Sequence, residues 1–269
     1  MRIVRFKDAE GKVYTGCRFN GKSAMVIRGD IFSGMELTDQ RVEVRELLPP
    51  FLPAAILCIG LNYSQHAAET GIQLPGHPVL FMKNPGAVTG PKAEIRIPVS
   101  CLEPPQVDYE AELAVVIGRL AKNVRKEEAL DYVFGYTCGN DVSARIWQKQ
   151  GGGKQWVRGK SFDTFCPLGP ELVTADEIAD PQQLSVECRL NGKVMQQAST
   201  SEMIFPVAEI IAFLSESTTL LPGTVILTGT PNGVGFARTP PVFLQPGDLL
   251  ETSIEGVGVM SNPVTAEVL

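Results

Sequence analysis

The stretch VDYEAELAVVIG, residues 107–118, decides how this chain is read. Its second half, Leu113–Gly118, is an unbroken apolar run of the kind that forms a strand buried on both faces. Its first half sets Asp108, Glu110 and Glu112 at every second position. Side chains at i, i+2 and i+4 of a strand share a face, so three carboxylates are expected to project together beside a hydrophobic interior. Like charges held that way repel and raise one another's pKa unless a cation joins them. A hard divalent cation resolves the repulsion, because Mg2+ and Ca2+ take oxygen ligands while zinc prefers Cys and His. The plainer reading is a solvated strand end, with Asp108 and Glu110 outside and Glu112 incidental.

Outward from that strand, FGYTCGNDVSARIWQ (134–148) ends a predicted strand at Asp141 and starts a predicted helix near Ser143. Asp141 could complete a site with Glu110 and Glu112, or it could cap the helix, a frequent task for Asp at such junctions. The chain has two histidines. His77, in LPGHPV, is read as an exposed loop residue. His66, in NYSQHAAETG, precedes Glu69 by three positions on a short predicted helix, which puts both on one face. Such a pair serves as a general acid/base unit, the carboxylate fixing the imidazole tautomer, or merely stabilises the helix. Lys83 in FMKNPGA and Lys160 in WVRGKSFDTF follow apolar or glycine positions where a cleft can begin. Near a dry site each could neutralise charge developing on oxygen; otherwise each is a solvated lysine. GTPNGVG (229–235) is a Gly-rich turn without the Lys of a P-loop, and its backbone N–H groups with Thr230 are suited to holding a carboxylate.

The rhythm along the chain is mainly β, which predicts an α+β, β-rich fold with few short helices at its margins. RIVRF, KVYTGCRF and SAMVIRG form a small N-terminal β unit, residues 1–50, separated by the Pro-rich LLPPFLP (47–53) from a larger segment, 54–269. In that segment AAILCIGLN, PVLFMKNP, AELAVVIG, LSVECRLNGKVMQQA, GTVILTGTP and DLLETSIEGVGVMSN read as strands, with Asn191–Gly192 marking a hairpin. SQHAAET, RKEEALDYV, SARIWQKQ and FPVAEIIAFLSES read as helices.

Of the 269 residues, 44% are hydrophobic and 20% charged, ordinary for a soluble globular protein. A net charge of −6 with no basic run argues against a nucleic-acid or anionic-membrane binder. The first residues match neither a signal nor a transit peptide, and no apolar run reaches the ~20 residues of a membrane span. The six cysteines are widely spaced without a CxxC pair, so they read as buried free thiols in a reducing cytoplasm.

Six stretches taken in order, NYSQHAAETG, FMKNP, VDYEAELAVVIG, GYTCGNDVSAR, RGKSFDTFCPLGP and LTGTPNGVG, resemble the fumarylacetoacetate hydrolase family over about residues 54–266. The resemblance implies a rolled, mixed β-sheet, a Mg2+ or Mn2+ ion held by Glu110, Glu112 and Asp141, and a homodimer. It implies a His66–Glu69 dyad on a mobile lid, a role for Lys160 beside the reacting oxygen, and a substrate pocket lined by Lys83, Gln148, Lys160 and Thr230. Asp108 begins the same motif without the resemblance making it a ligand.

The function expected first is a Mg2+-dependent hydrolase cleaving a C–C bond in acylpyruvates or fumarylacetoacetate-like 2,4-dioxo acids. The alternative is an isomerase or decarboxylase of the 2-oxo-dienoates of aromatic catabolism, or an oxaloacetate decarboxylase. A third reading, a non-catalytic protein whose acidic strand binds Ca2+, leaves the His66–Glu69 pair without a purpose.

Overall fold

The computed structural model describes residues 1–71 and 73–268; Ile72 and Leu269, the last residue of the expected segment 54–269, lie outside the described residues. Ala111–Ile117 is a strand in which every residue is buried, as its apolar run predicts. It runs antiparallel between Val133–Asn140 and Thr224–Leu227. Leu113, Val115 and Ile117 pack on one side, in a cluster with Val186, Leu250 and Met260 of a second sheet. Ala114 and Val116 pack on the other, with Ile56, Cys58, Leu172 and Val225. Each of these large side chains contributes about 1.5–3 kcal/mol by its burial.

That strand lies within a 12-stranded mixed sheet. From one edge its main path runs through Gly34–Glu43, Ser23–Asp30, Val13–Cys17, Arg2–Lys7, Cys166–Thr174, Val133–Asn140, Ala111–Ile117, Thr224–Leu227, Ala55–Gly60 and Val79–Lys83. Thr224–Leu227 pairs with Ala55–Gly60 in parallel, while its pairing with Ala111–Ile117 is antiparallel. A five-stranded sheet, ordered Lys193–Ser199, Ser185–Leu190, Leu249–Ile254, Gly258–Ala266 and Ile95–Ile97, covers the inner face. Its hairpin turns at Asn191 and Gly192, both at positive φ, as the Asn-Gly pair predicts.

The strands of the first 50 residues join the main sheet directly, through Arg2 and Ile3 opposite Val173 and Leu172. One of them, Gly34–Glu43, escapes the sequence reading because almost all of it is exposed, so no apolar face marks it.

The helices are short, as expected, and two differ from the reading. Ser64–Thr70 is an α-helix closed by Gly71 at φ 68°, and Val207–Ser215 is the α-helix that follows Pro206. Lys126–Tyr132, read as part of a helix, winds as a 3-10 helix. No helix starts at Ser143. Ser143–Ala144 pairs instead with Val107–Asp108; helical winding starts at Arg145 and continues as a π-helix from Trp147 to Gly151. Gln106 satisfies the unpaired donors at that start, its backbone carbonyl taking the Arg145 N–H and its side-chain carbonyl those of Ile146 and Trp147. No helix among the described residues is long and apolar enough to cross a membrane.

Candidate active site

The acidic stretch does not run as one strand. Its ladder breaks between Val107–Asp108 and Ala111–Ile117, and the break sends the carboxylates two ways. Asp108, fully buried, accepts from Arg145 Nε at 2.8 Å and from the backbone N–H of Gly235 at 2.7 Å and Phe236 at 3.0 Å. Glu110, Glu112 and Asp141 converge elsewhere: one oxygen from each lies within 4.8 Å of the other two. All are buried, so the solvated-strand-end reading fails, as does the expectation of three acids on one face. Asp141 is no helix cap either. It directly follows the strand Val133–Asn140, donates its N–H to the Glu110 carbonyl at 2.8 Å, and points its carboxylate at two lysines.

Those lysines are buried, against the reading of solvated side chains. Lys83 Nζ donates to Asp141 Oδ1 at 2.6 Å and to the Val142 carbonyl at 3.1 Å. Lys160 Nζ spends all three of its hydrogens, on Glu110 Oε2 at 2.8 Å, Asp141 Oδ2 at 2.6 Å and Ser143 Oγ at 2.7 Å. Burial alone would lower the Lys160 pKa, but Asp141 and Glu110 raise it above its ordinary value, so the group is a fixed cation. Glu110 is pushed up by burial and pulled further down by Lys160 and then Arg145, whose Nη1 lies 2.6 Å from its Oε1, ending below the usual carboxylate range. Glu112 goes the other way. Burial, then the charges of Asp141 and Glu110, push it well above that range, and its carboxylate accepts the Gly229 N–H at 2.7 Å.

Four buried carboxylates, Asp108, Glu110, Glu112 and Asp141, thus face three buried cations, Lys83, Arg145 and Lys160. The uncompensated charge lies at Glu112, beside the converging oxygens. An all-oxygen donor set with one unbalanced negative charge fits a hard divalent cation.

A cavity of about 270 Å³ opens over this cluster. Of the residues expected at the site, His66, Glu110, Glu112, Gln148, Lys160 and Thr230 line it, together with the aromatic walls Phe81, Trp156 and Phe236. Lys83, by contrast, stands behind Asp141 rather than on the cavity wall. His66 Nδ1 lies 2.7 Å from Glu69 Oε1, and a proton taken up by the imidazole would act on Glu110. Thr230 Oγ1 donates to the Ala111 carbonyl at 3.0 Å and accepts from Gln196 Nε2 at 2.7 Å. The Gly-rich turn does hold carboxylates, but they are the protein's own: Glu112 on Gly229, Glu69 on Gly233 and Asp108 on Gly235. His77 is exposed, as expected, and stacks on Phe213.

Sequence reasoning missed Arg145, Gln196 and the aromatic walls. Arg145 bridges Asp108 and Glu110 and bonds Gln148 Oε1 at 3.1 Å; its Nη2 lies 2.8 Å from Asp108 Oδ2 but out of line for a hydrogen bond. Gln196 Oε1 accepts the Ala111 N–H at 3.0 Å, between the two glutamates. Only the register of Val107–Asp108 against Ser143–Ala144 brings Arg145 to Asp108, and no local spacing announces that pairing.

The family described as fumarylacetoacetate (FAA) hydrolase C-terminal matches residues 55–265, and that described as Rv2993c-like, N-terminal, matches residues 1–50. The chain is 46% identical over 244 residues, 91% of its length and 76% of the relative's, to oxaloacetate tautomerase fahd2, mitochondrial, of Xenopus laevis. It is 48% identical over 224 residues to oxaloacetate tautomerase FAHD2A, mitochondrial, of Bos taurus, covering 83% of this chain and 70% of that one. It superposes with a TM-score of 0.84 and 38% identity on 2-hydroxyhepta-2,4-diene-1,7-dioate isomerase from Mycobacterium marinum, over 100% of both chains. The relatives' names correct the expectation of a cytoplasmic protein, because both vertebrate proteins are mitochondrial. All six cysteines are indeed buried and free, but that requires only a compartment that keeps thiols reduced and does not say which.

Proposed function

This chain belongs to the fumarylacetoacetate hydrolase family, and we propose that it is a divalent-metal-dependent enzyme moving a proton, or releasing CO2, next to the keto carbon of a small 2-oxo acid. One observation carries the reading: His66, paired with Glu69, lines the same cavity as Glu110, Glu112 and Lys160. The ion proposed is Mg2+ or Mn2+, held by Glu110, Glu112 and Asp141. When bound, it supplies Lewis-acid polarisation of the substrate's keto group.

The protein's own groups do the rest. With Glu69 ionised, its bond to Nδ1 holds the imidazole proton there and leaves the basic lone pair on Nε2. Nε2 takes a proton from C3 of the substrate, the C–H electron pair becomes the C2–C3 double bond, the C=O π pair moves onto the keto oxygen, and that oxygen takes the proton back from Nε2, directly or through a water, to give the enol. The reverse steps give the ketone. Lys160, held charged by Asp141 and Glu110, offsets negative charge growing on that oxygen. Loss of CO2 from C3 would leave the same electron pair without any proton abstraction.

C–C hydrolysis, the first expectation, is the second reading. The tautomerase and isomerase relatives favour proton transfer over it. So do the walls of Phe81, Trp156 and Phe236, since hydrolysis must admit an attacking water and proton transfer gains from excluding one. A homodimer accompanies the proposal. Leu80 and Met82, exposed on the sheet-edge strand Val79–Lys83, offer apolar surface for it, and sedimentation velocity tests it.

The deciding experiment follows the ultraviolet absorbance of oxaloacetate enol with protein and Mg2+, then with EDTA, beside acetate release from acetylpyruvate. Metal-dependent interconversion, or metal-dependent pyruvate formation, without acetate release is expected. Faster acetate release from acetylpyruvate would establish hydrolysis instead, and no catalysis of any of these would remove the proposal.

A further inference from the structure

Lys149 is a cation that the site's carboxylates leave unclaimed. Lys83, Arg145 and Lys160 are each held by a buried carboxylate. Lys149 forms no ion pair with a carboxylate among the described residues, yet it lines the same cavity as Glu110, Glu112 and His66. Its Nζ stands 4.2 Å from the centre of the Phe236 ring, and the Arg145 guanidinium carbon stands 4.4 Å from that centre. Two cations therefore share one aromatic ring. Partial burial, then the nearby Arg145, depress the Lys149 pKa, and the more weakly acting Asp108 does not restore it.

The backbone puts it there. In the π-helix Trp147–Gly151, Gln148 turns into the protein and is buried, while Lys149 stays exposed on the cavity's wall. Cation–π contact with Phe236 holds the ammonium without neutralising it. The cavity, about 270 Å³, is small for a ligand site, which suits a molecule of few heavy atoms. With the divalent cation proposed above, the acid cluster would take the 2-oxo-carboxylate end of such a molecule. Lys149 is then the cavity-lining cation left for a second carboxylate.

We propose that Lys149, held over Phe236, recognises the distal carboxylate of a dicarboxylic 2-oxo acid and sets the site's preference for dicarboxylates over monocarboxylates. The assignment rests on the 2-oxo acid reading above and adds to it the charge of the substrate's far end.

The test compares oxaloacetate with its 4-methyl ester, which keeps the 2-oxo-carboxylate end and loses the distal charge, in wild type, Lys149→Met and Lys149→Arg. Read on keto–enol interconversion, which both ligands can undergo whereas only the diacid can lose CO2, wild type should favour the diacid by about tenfold in kcat/KM, carried mostly by KM, as for one hydrogen bond to a charged group. Lys149→Met should bring the ratio near unity, and Lys149→Arg should restore most of it. A loss shared equally by both ligands, or a ratio unmoved by Lys149→Met, overturns the assignment.

Calorimetric titration of the same two ligands separates this proposal from the proposed reaction. A wild type that turns over neither ligand but binds the diacid more tightly, with the difference gone in Lys149→Met, keeps Lys149 and sinks the chemistry. Equal wild-type affinity for both ligands sinks Lys149 whatever the reaction proves to be.

Discussion

His66 is the residue on which the proposed proton transfer turns. General acid–base groups contribute about 10²–10⁴-fold, so His66→Gln should slow deuterium exchange at C3 of oxaloacetate by at least about a hundredfold. NMR of the exchanging position reads this directly, and a loss below about threefold would move the base elsewhere. Asp108 makes a different prediction. Its carboxylate lies on the far side of Arg145 from Glu110 and lines no part of the cavity. Asp108→Asn leaves Arg145 buried with one anionic partner instead of two, which should cost about 3 kcal/mol, the low end for breaking a buried pair. Urea unfolding measures it. A cost under about 1 kcal/mol would mean that Glu110 alone satisfies the guanidinium. Residues such as Glu110, Glu112 and the His66–Glu69 pair were legible because local spacing carries them. Asp108 misled because a two-residue break in its strand turned it from its neighbours, and its partner Arg145 stands 37 residues along the chain.

Elements show the same division between local and distant causes. The helix Ser64–Thr70 was readable from its polar start and from Gly71, whose left-handed conformation ends it. The segment 143–151 was readable only in part. Its helix was expected, but the pairing of Ser143–Ala144 with Val107–Asp108 delays the winding to Arg145, and from Trp147 it runs as a π-helix. Packing then locks that winding. A Cβ on Gly159 would strike the backbone of Gln148 and Ala144, so the short helix Val157–Lys160 can carry Lys160 to the acid cluster only with glycine at that position. Neither neighbour is the free end of a side chain and neither can swing aside. Gly159→Ala should therefore destabilise the protein by about 1–3 kcal/mol, the usual cost of overpacking, and should lower activity more than stability predicts by moving Lys160. Thermal melting and kcat are the two readings. An unchanged kcat with a lowered Tm would show that Lys160 tolerates the shift.

For the whole molecule, the central strand was legible because an apolar run with no polar alternation can be buried only on both faces, and the two sheets around it follow from that. The outer strand Gly34–Glu43 was illegible for the converse reason, being exposed almost throughout. How the first 50 residues join the rest was equally hidden, since Arg2 and Ile3 meet Val173 and Leu172 across most of the chain. The acid cluster links site to fold on the same scale. Strand Ala111–Ile117, the end of Val133–Asn140, the end of Val79–Lys83 and the helix Val157–Lys160 each deliver a charged group to it, so the charge left unbalanced at Glu112 burdens the whole core. A cation that binds only the folded chain should relieve it. At a hundred times its dissociation constant, such an ion adds about 2.7 kcal/mol. For a chain of this size that raises the Tm by about 5–10 °C. Melting curves in Mg2+ and in EDTA should differ by that amount for wild type and much less for Glu112→Gln, which removes the unbalanced charge. Coincident wild-type curves would mean that a proton on Glu112 balances the cluster without a metal.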